Sequence, residues 1–381
     1  MIPPHIVFAA YQVERGSNGG MESATRIFEA LADDFRWTLL TNRETPRTER
    51  WRAGGARVVQ FGFEEEAGKF ARGVQLSLAA ARALTLRADI LHSNDIRGAQ
   101  VLLPAAKLSN TPLALTLRGM KPEREHYGAN WYRVFRRLDA LITLSDDMAQ
   151  QVDGRLPVPL ERIHTISSIV DLDTFRPVKS ADRAEVRAKL RLEDHEIAIG
   201  LIAGVFEIKR QLDVIREVLA HLKDLPIRLH LVGDFKPTTD KYARACADMV
   251  ESQGLGDRVV FHGFRRDVAD WLVAVDVALV ASRREGLARC MIEAMACGTP
   301  VVSVDVCSAR EMLQETGAGI VVGLDDWPGL AIALRELCKD PDKRATMGRA
   351  GRDAAVTRFS TQKVADDWRD LYASLVKMKV K

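Results

Sequence analysis

Apolar runs and helix-like stretches alternate along the chain, and this order occurs twice. In the first half the apolar runs are continuous rather than strictly alternating, which is typical of parallel strands buried on both faces. The pattern predicts strands at residues 6–10, 37–41, 58–61, 90–92, 113–117, 140–144 and 163–166. It predicts helices between them at residues 21–32, 73–83 and 130–137.

The second half repeats the pattern. Its predicted strands are residues 197–203, 228–232, 259–261, 277–280, 300–304 and 319–322. Its predicted helices are residues 209–222, 239–253, 268–273, 288–297, 327–339 and, after Ser360 as N-cap, 361–376. Two series of strands linked by helices predict two doubly wound α/β domains. A polar stretch closed by Pro177 places the boundary between them near residues 170–177.

Composition narrows the function classes. The 381 residues carry a formal net charge of +3, with acidic and basic residues mixed and no basic stripe of the kind that binds nucleic acid. The five cysteines lie in the second half without a CxxC pair, which argues against a disulfide framework or a zinc site. The sequence starts without a signal-peptide pattern and contains no run of roughly 20 apolar residues. We therefore expect a cytoplasmic protein with no nucleic-acid partner.

The most informative motif follows the predicted strand at 277–280. Glu285 and Gly286 form a turn, a helix is predicted at 288–297, and Gly298 suits its left-handed C-terminal position. A helix N-terminus after a strand presents unpaired N–H groups that can hold a diphosphate. Glu285 and Glu293 would flank that anion and accept hydrogen bonds from sugar hydroxyls. The alternative is a surface acid followed by a glutamate that only stabilises its helix.

The stretch EGLARCMIEAMACGTPVV, preceded by DRVVFHGFRRDVADWLVAVDVALVAS, resembles the donor half of the family-4 retaining glycosyltransferases. That family has two glutamates separated by seven residues, as Glu285 and Glu293 are. The resemblance covers nearly the whole chain. It implies the GT-B fold, in which two Rossmann-like doubly wound domains face each other across a cleft. Residues 1–172 would bind the acceptor and residues 178–358 the nucleotide-sugar donor, while residues 359–381 would cross back to pack on the first domain.

The resemblance also implies roles for single residues of the donor half. Glu285 would contact the donor sugar, and Glu293 would hold the ribose. Lys209 would neutralise the leaving diphosphate, which is the charge stabilisation that a departing nucleotide needs; the alternative is an ordinary solvated lysine. The remaining donor-binding positions are the backbone of Leu287, Ala288 and Arg289 at the diphosphate, Phe264 and Arg265 beside the nucleobase, and Gly204 before the lysine.

In the acceptor half, Gly19 and Gly20 precede a helix and would let the backbone approach a phosphate of the donor, although a plain turn would look the same. His92 and Asp95 follow a strand, where ligands gather in α/β sheets, and are predicted to bind the acceptor; a structural histidine is the alternative. Arg118 stands where the family has histidine. Since arginine can grip phosphate with two hydrogen bonds, Arg118 is predicted to act in catalysis as an anion clamp, or else to form a structural ion pair.

Three further departures from the family pattern bear on the donor. Gly204 replaces the usual arginine, a pair of serines at 167–168 replaces Asn-Gly, and Cys307 with Ser308 replaces Gly-Gly. The charge that Gly204 cannot supply is expected from Arg118 or Arg289.

Basic and aromatic residues also interleave over residues 125–137, which favours peripheral contact with a membrane surface; the alternative is a solvated helix with aromatics facing the core.

The resemblance thus implies a retaining transfer from a nucleotide-sugar, with a UDP- or GDP-sugar as donor and a glycan or lipid-linked acceptor in cell-surface polysaccharide synthesis. Neither cofactor nor metal is expected, because no DxD-like pair follows a strand of the donor half. The alternatives are a non-catalytic nucleotide-sugar-binding subunit and another GT-B enzyme, such as a nucleotide-sugar epimerase or a glycan phosphorylase.

Overall fold

A computed structural model describes residues 2–11, 19–62, 69–120 and 127–380. The chain divides into two compact units. The first unit comprises Met1–Ile169 together with Thr361–Lys381, and the second unit comprises Val170–Ser360.

The first unit is built on a parallel seven-stranded sheet with the order β3-β2-β1-β4-β5-β6-β7. Its strands are β1 (His5–Ala10), β2 (Arg36–Thr41), β3 (Arg57–Gln60), β4 (Ile90–Ser93), β5 (Leu113–Thr116), β6 (Ala140–Thr143) and β7 (Ile163–Thr165). Its helices are α1 (Gly19–Leu31), α2 (Pro46–Ala53), α3 (Lys69–Thr85), α4 (Ile96–Ser109), α5 (Ala129–Phe135) and α6 (Asp146–Val152). The strand order reverses between β1 and β4, and ligands of doubly wound sheets bind where the order reverses.

The last helix of the chain belongs to the core of this first unit. This helix, Thr361–Val380, buries Trp368 and Tyr372 against the sheet beside Phe8 and Trp37. Aromatic rings dominate the contact; the Trp37 and Tyr372 rings meet edge to face, with centroids 6.1 Å apart. The predicted return of the C-terminal helix to the first domain is therefore confirmed.

The second unit contains a parallel six-stranded sheet with the order β10-β9-β8-β11-β12-β13. Its strands are β8 (Ile197–Ile202), β9 (Ile227–Val232), β10 (Val259–Gly263), β11 (Val277–Val280), β12 (Val301–Val304) and β13 (Gly319–Val322). Its helices are α7 (Ser180–Leu190), α8 (Gln211–Asp213), α9 (Lys241–Ser252), α10 (Val268–Ala274), α11 (Arg289–Cys297), α12 (Trp327–Lys339) and α13 (Pro341–Phe359), so the last helix of the chain is α14. Here the strand order reverses between β8 and β11.

Every predicted strand has a counterpart, and the two doubly wound sheets confirm the predicted fold class. The prediction of one helix over residues 209–222 was wrong. A 3-10 turn at Glu207–Lys209 precedes α8, and a π-helical turn at Val214–Val218 follows it. The break has a local cause, because Arg210 adopts the left-handed conformation with φ of 61°. Helices α2, α4, α6, α7 and α13 were not predicted.

Candidate functional site

Helix α11 offers an anion-binding terminus at the point where the second sheet reverses its strand order. The helix begins at Arg289, directly after the loop that leaves β11, and it ends at Gly298 with φ of 74°. Ala288 is its N-cap and, in the part of the chain that the structure describes, no side chain caps the first turn. The Met291 N–H donates to the Ala288 carbonyl at 3.0 Å, so the N–H groups ahead of it are the ones that the helix offers to an anion, and the helix dipole favours negative charge there.

Lys209 and Glu285 come together beside this terminus, although they follow different strands. Lys209 follows β8 and Glu285 follows β11, and their Nζ and Oε1 atoms lie 2.5 Å apart. The backbone N–H of Arg283 donates to the carbonyl of Ile208 at 2.8 Å, which joins the two loops. Burial lowers the pKa of Lys209, but the adjacent Glu285 carboxylate outweighs burial and leaves that pKa raised. The lysine is therefore a permanent cation at neutral pH.

A second ion pair lies on the first turns of α11. The Arg289 guanidinium meets the Glu293 carboxylate at 2.5 Å, one helical turn along, and Glu293 is only 8% exposed. Between the two pairs, burial raises the pKa of Cys290 to about 12, so its thiol stays protonated and is a poor nucleophile. Leu287 and Ala288 are buried, so a diphosphate role of their backbone stays a prediction.

Gly204 has no room for a side chain. A Cβ atom at this position would lie 2.4 Å from the ring of Phe206, and the Gly204 carbonyl accepts a hydrogen bond from Gln211 at 2.8 Å. In the neighbouring loop, Phe264 is 63% exposed, whereas Arg265 forms an ion pair with Asp267 at 2.5 Å. Phe264 thus presents an open aromatic face, and Arg265 is engaged within its own turn.

Arg210 supports the turn of Lys209 structurally, and sequence reasoning missed it. Its guanidinium is buried, donates to the Leu324 carbonyl at 2.8 Å and to Asp325 at 2.6 Å, and lies 4.2 Å from the centre of the Trp327 ring. It follows Lys209 directly, so it fastens the lysine turn to the loop after β13. No sequence signal indicates this role, because the partners lie more than a hundred residues away.

We expect Arg210→Gly and Arg210→Ala to lower kcat about tenfold each, because both release the turn that positions Lys209. Glycine tolerates positive φ, so Arg210→Gly should retain about 1 kcal/mol more unfolding free energy than Arg210→Ala. Steady-state kinetics and denaturant unfolding would measure the two effects separately. Wild-type kcat in Arg210→Gly would show that the turn holds its position without the arginine.

The first unit has its own cavity where its strand order reverses. The cavity has a volume of about 450 Å³ and is lined by Tyr11, Asn94, Asp95, Arg118 and Trp131, among others. The Arg118 guanidinium donates to Asn94 Oδ1 from Nε at 2.9 Å and from Nη2 at 2.5 Å. Asp95 caps α4 by accepting from the Gly98 N–H and also accepts from the Tyr11 N–H, both at 2.8 Å. Burial raises the pKa of Asp95, and these two hydrogen bonds oppose that rise.

One glycine of the predicted pair lines this cavity. Gly19 and Gly20 form the start of α1, and Gly20 lines the cavity. Ser17 and Asn18 of the same predicted loop lie outside the described residues.

The prediction that His92 contacts an acceptor was wrong. The ring is fully buried, with Nδ1 2.7 Å from the Tyr372 hydroxyl and Nε2 2.8 Å from the Thr116 hydroxyl. Alternation along β4 directs this side chain to the face of the sheet that α14 covers. Burial is the main reason that the pKa of His92 falls to about 3, and Arg118 lowers it further. His92 is therefore a neutral core residue.

The aromatic side chains of α5 pack within the first unit. Trp131 lies 5.3 Å from the Tyr127 ring centre and lines the cavity, and Phe135 is fully buried. Arg137 pairs with Asp139, and residues 125–126 of the predicted membrane segment lie outside the described part of the chain. Among the helices of the described residues, none is both long and apolar enough to cross a bilayer. Membrane contact stays a prediction.

Each half of the chain matches the model of a known protein family. Residues 197–340 match the family described as Glycosyl transferases group 1, and residues 18–168 match the Glycosyl transferase 4-like domain. A D-inositol 3-phosphate glycosyltransferase of Xylanimonas cellulosilytica is 31% identical over 310 residues, which are 76% of this chain and 73% of that protein. The putative glycosyltransferase EpsD of Bacillus subtilis is 26% identical over 308 residues, or 78% of this chain and 79% of EpsD.

Solved structures share the fold. The complex of Anabaena HepE with UDP has a TM-score of 0.83 and 20% identity, and it covers 97% of this chain and 100% of its own. Sucrose-phosphate synthase of Thermosynechococcus elongatus has a TM-score of 0.80 and 20% identity, covering 98% of this chain and 99% of its own. At these identities the likeness shows a common fold.

Proposed function

The chain belongs to the group 1 glycosyl transferases, and from this we propose that its second unit holds a nucleotide-sugar donor at the N-terminus of α11 while its first unit presents the acceptor. The observation that carries the proposal is the pairing of Lys209 with Glu285 beside that terminus. Both follow strands at the reversal of strand order, where a ligand of this fold binds.

In the proposed donor complex, the diphosphate lies on the first N–H groups of α11 with Lys209 beside it. Glu285 turns from Lys209 to hydroxyls of the donor sugar, and Glu293 holds the ribose. Phe264 offers its exposed ring to the nucleobase. Negative charge grows on the diphosphate as the sugar departs, and a fixed cation and a helix terminus stabilise that charge without moving.

We further propose that the transfer retains the anomeric configuration and needs no metal ion, since Lys209 and the helix terminus supply the positive charge at the leaving group. UDP is the favoured nucleotide of the donor, because HepE of the same fold was solved with UDP; a GDP-sugar is the other candidate. The cavity of the first unit, with Asp95 and Arg118 on its wall, would take the acceptor. A glycan or a lipid-linked sugar fits its polar and aromatic lining.

A donor screen tests the proposal. Purified protein is incubated with UDP-, GDP-, ADP- and dTDP-sugars, with and without a chelator, and released nucleotide is measured beside Glu285→Ala. We expect release from one donor, equal in the two chelator arms and lost in the variant. Release that disappears with chelator would contradict the metal-independent step. Nucleotide binding without release, in the presence of glycan and lipid-linked acceptors, would contradict the proposed transfer.

A further inference from the structure

The side chains around the α11 terminus cancel one another in charge. Lys209 is matched by Glu285 and Arg289 by Glu293, each pair at 2.5 Å. A nucleotide-sugar brings two negative charges on its diphosphate. While both ion pairs stay closed, these four side chains add no net charge, and the partial charge of the helix terminus alone faces the diphosphate. Further positive groups at this terminus would therefore strengthen the binding of a diphosphate.

Other cations close to the terminus are already engaged. Arg210 donates to Leu324 and Asp325 and is 4% exposed, so it faces inward. Gly204 offers no charge, and the ring of Phe206 fills the space that a side chain at this position would need. Neither position can supply what the diphosphate lacks.

Arg283 and Arg284 are exposed, unlike Arg210, and they carry a positive charge, unlike Gly204. They directly precede Glu285, both are exposed, and neither guanidinium forms a hydrogen bond or an ion pair with any residue that the structure describes. The Arg283 N–H bond to Ile208 holds their loop against the Lys209 turn. The loop that carries these two cations is thus fixed beside the turn of Lys209, and cations without a nearby counter-charge attract an anion.

We propose that Arg283 and Arg284 bind the diphosphate of the donor and complete the positive charge that the paired residues of α11 lack. This inference rests on the proposed function, because it assigns further residues to the same donor site. Guanidinium groups bind phosphate oxygens through two parallel hydrogen bonds, and they stay charged at any physiological pH. The same contacts would stabilise the nucleoside diphosphate as it leaves.

Binding of nucleotides without a sugar tests this role apart from turnover. Isothermal titration would compare UDP with UMP, and GDP with GMP, for the wild type, Arg283→Ala, Arg284→Ala and the double variant. We expect the double variant to lose affinity for the diphosphate about tenfold or more, and affinity for the monophosphate much less. The single variants show which arginine contributes more. Lysine at both positions should recover part of the loss, since it keeps the charge but not the paired hydrogen bonds.

The matched control is Arg349→Ala, which removes one positive charge near the other end of α11. Arg349 is exposed and follows Gly348, whose position is packed against the Gly298 carbonyl. We expect it to bind nucleotides like the wild type. A double variant that melts like the wild type and keeps its diphosphate affinity would overturn the inference while leaving the proposed function intact. A wild-type protein that binds none of these nucleotides, while transferring no sugar, would overturn both.

Discussion

Replacing Glu285 by glutamine is expected to lower kcat about a hundredfold or more, the size of effect seen when one preorganised electrostatic group is removed. The carboxylate has two tasks in the proposed cycle: it holds Lys209 at 2.5 Å before the donor binds, and it accepts from sugar hydroxyls afterwards. An amide of the same shape keeps neither charge nor full acceptor capacity. Steady-state kinetics with the donor found in the screen would measure kcat and KM separately.

Lys209→Ala should be similarly damaging, and the double variant should be little worse than either single one, because the two residues act as a pair. The control is Glu207→Gln, which changes an exposed glutamate in the same 3-10 turn. Its kcat should stay within about twofold of the wild type, as for surface changes away from a site. Additive losses from Glu285 and Lys209 would contradict a shared role.

Local patterns made much of this architecture predictable. The α11 motif could be read from the sequence because its parts lie close together: a strand, a turn with Glu285 and Gly286, Glu293 on the helix and a glycine at the helix end. The strands were predictable because burial on both faces leaves continuous apolar runs. Helices α2 and α13 were not predicted, because both are mostly polar and lack a clear apolar stripe. Both also start with proline, which indicates the first position of a helix only when the residue before it is recognised as the N-cap.

Long-range pairing could not be predicted in the same way. Lys209 meets Glu285 across 76 residues, and His92 meets Tyr372 across 280. The rule that ligands gather at strand ends leads to Asp95, which lines the cavity and whose acceptor role stays a prediction, and to His92, three residues away, which is buried. His92 is buried because its side chain on β4 points to the face of the sheet that α14 covers. The sequence near His92 does not show that a helix from the end of the chain covers this face.

We expect the buried His92 to make the first unit sensitive to acid. Its pKa is about 3 in the folded protein, against roughly 6.5 in an unfolded chain. Between these values the unfolded state binds a proton that the folded state excludes, so the stabilisation present above pH 6.5 is lost as pH falls toward 3. At pH 4.5 the gap of two pH units below 6.5 corresponds to about 3 kcal/mol of lost unfolding free energy.

The variant His92→Gln should remove this dependence, because its amide can bond Tyr372 and Thr116 without titrating. Urea unfolding at pH 7 and pH 4.5, followed by tryptophan fluorescence, would compare it with the wild type. The control is His262→Gln in the second unit, where burial also lowers the histidine pKa, to about 4. That control should leave the acid loss of the first unit unchanged. An equal loss of unfolding free energy in the wild type and in His92→Gln would contradict the role of His92. Other groups of the first unit, such as His5 and His164, would then cause its acid sensitivity, since burial lowers the pKa of both.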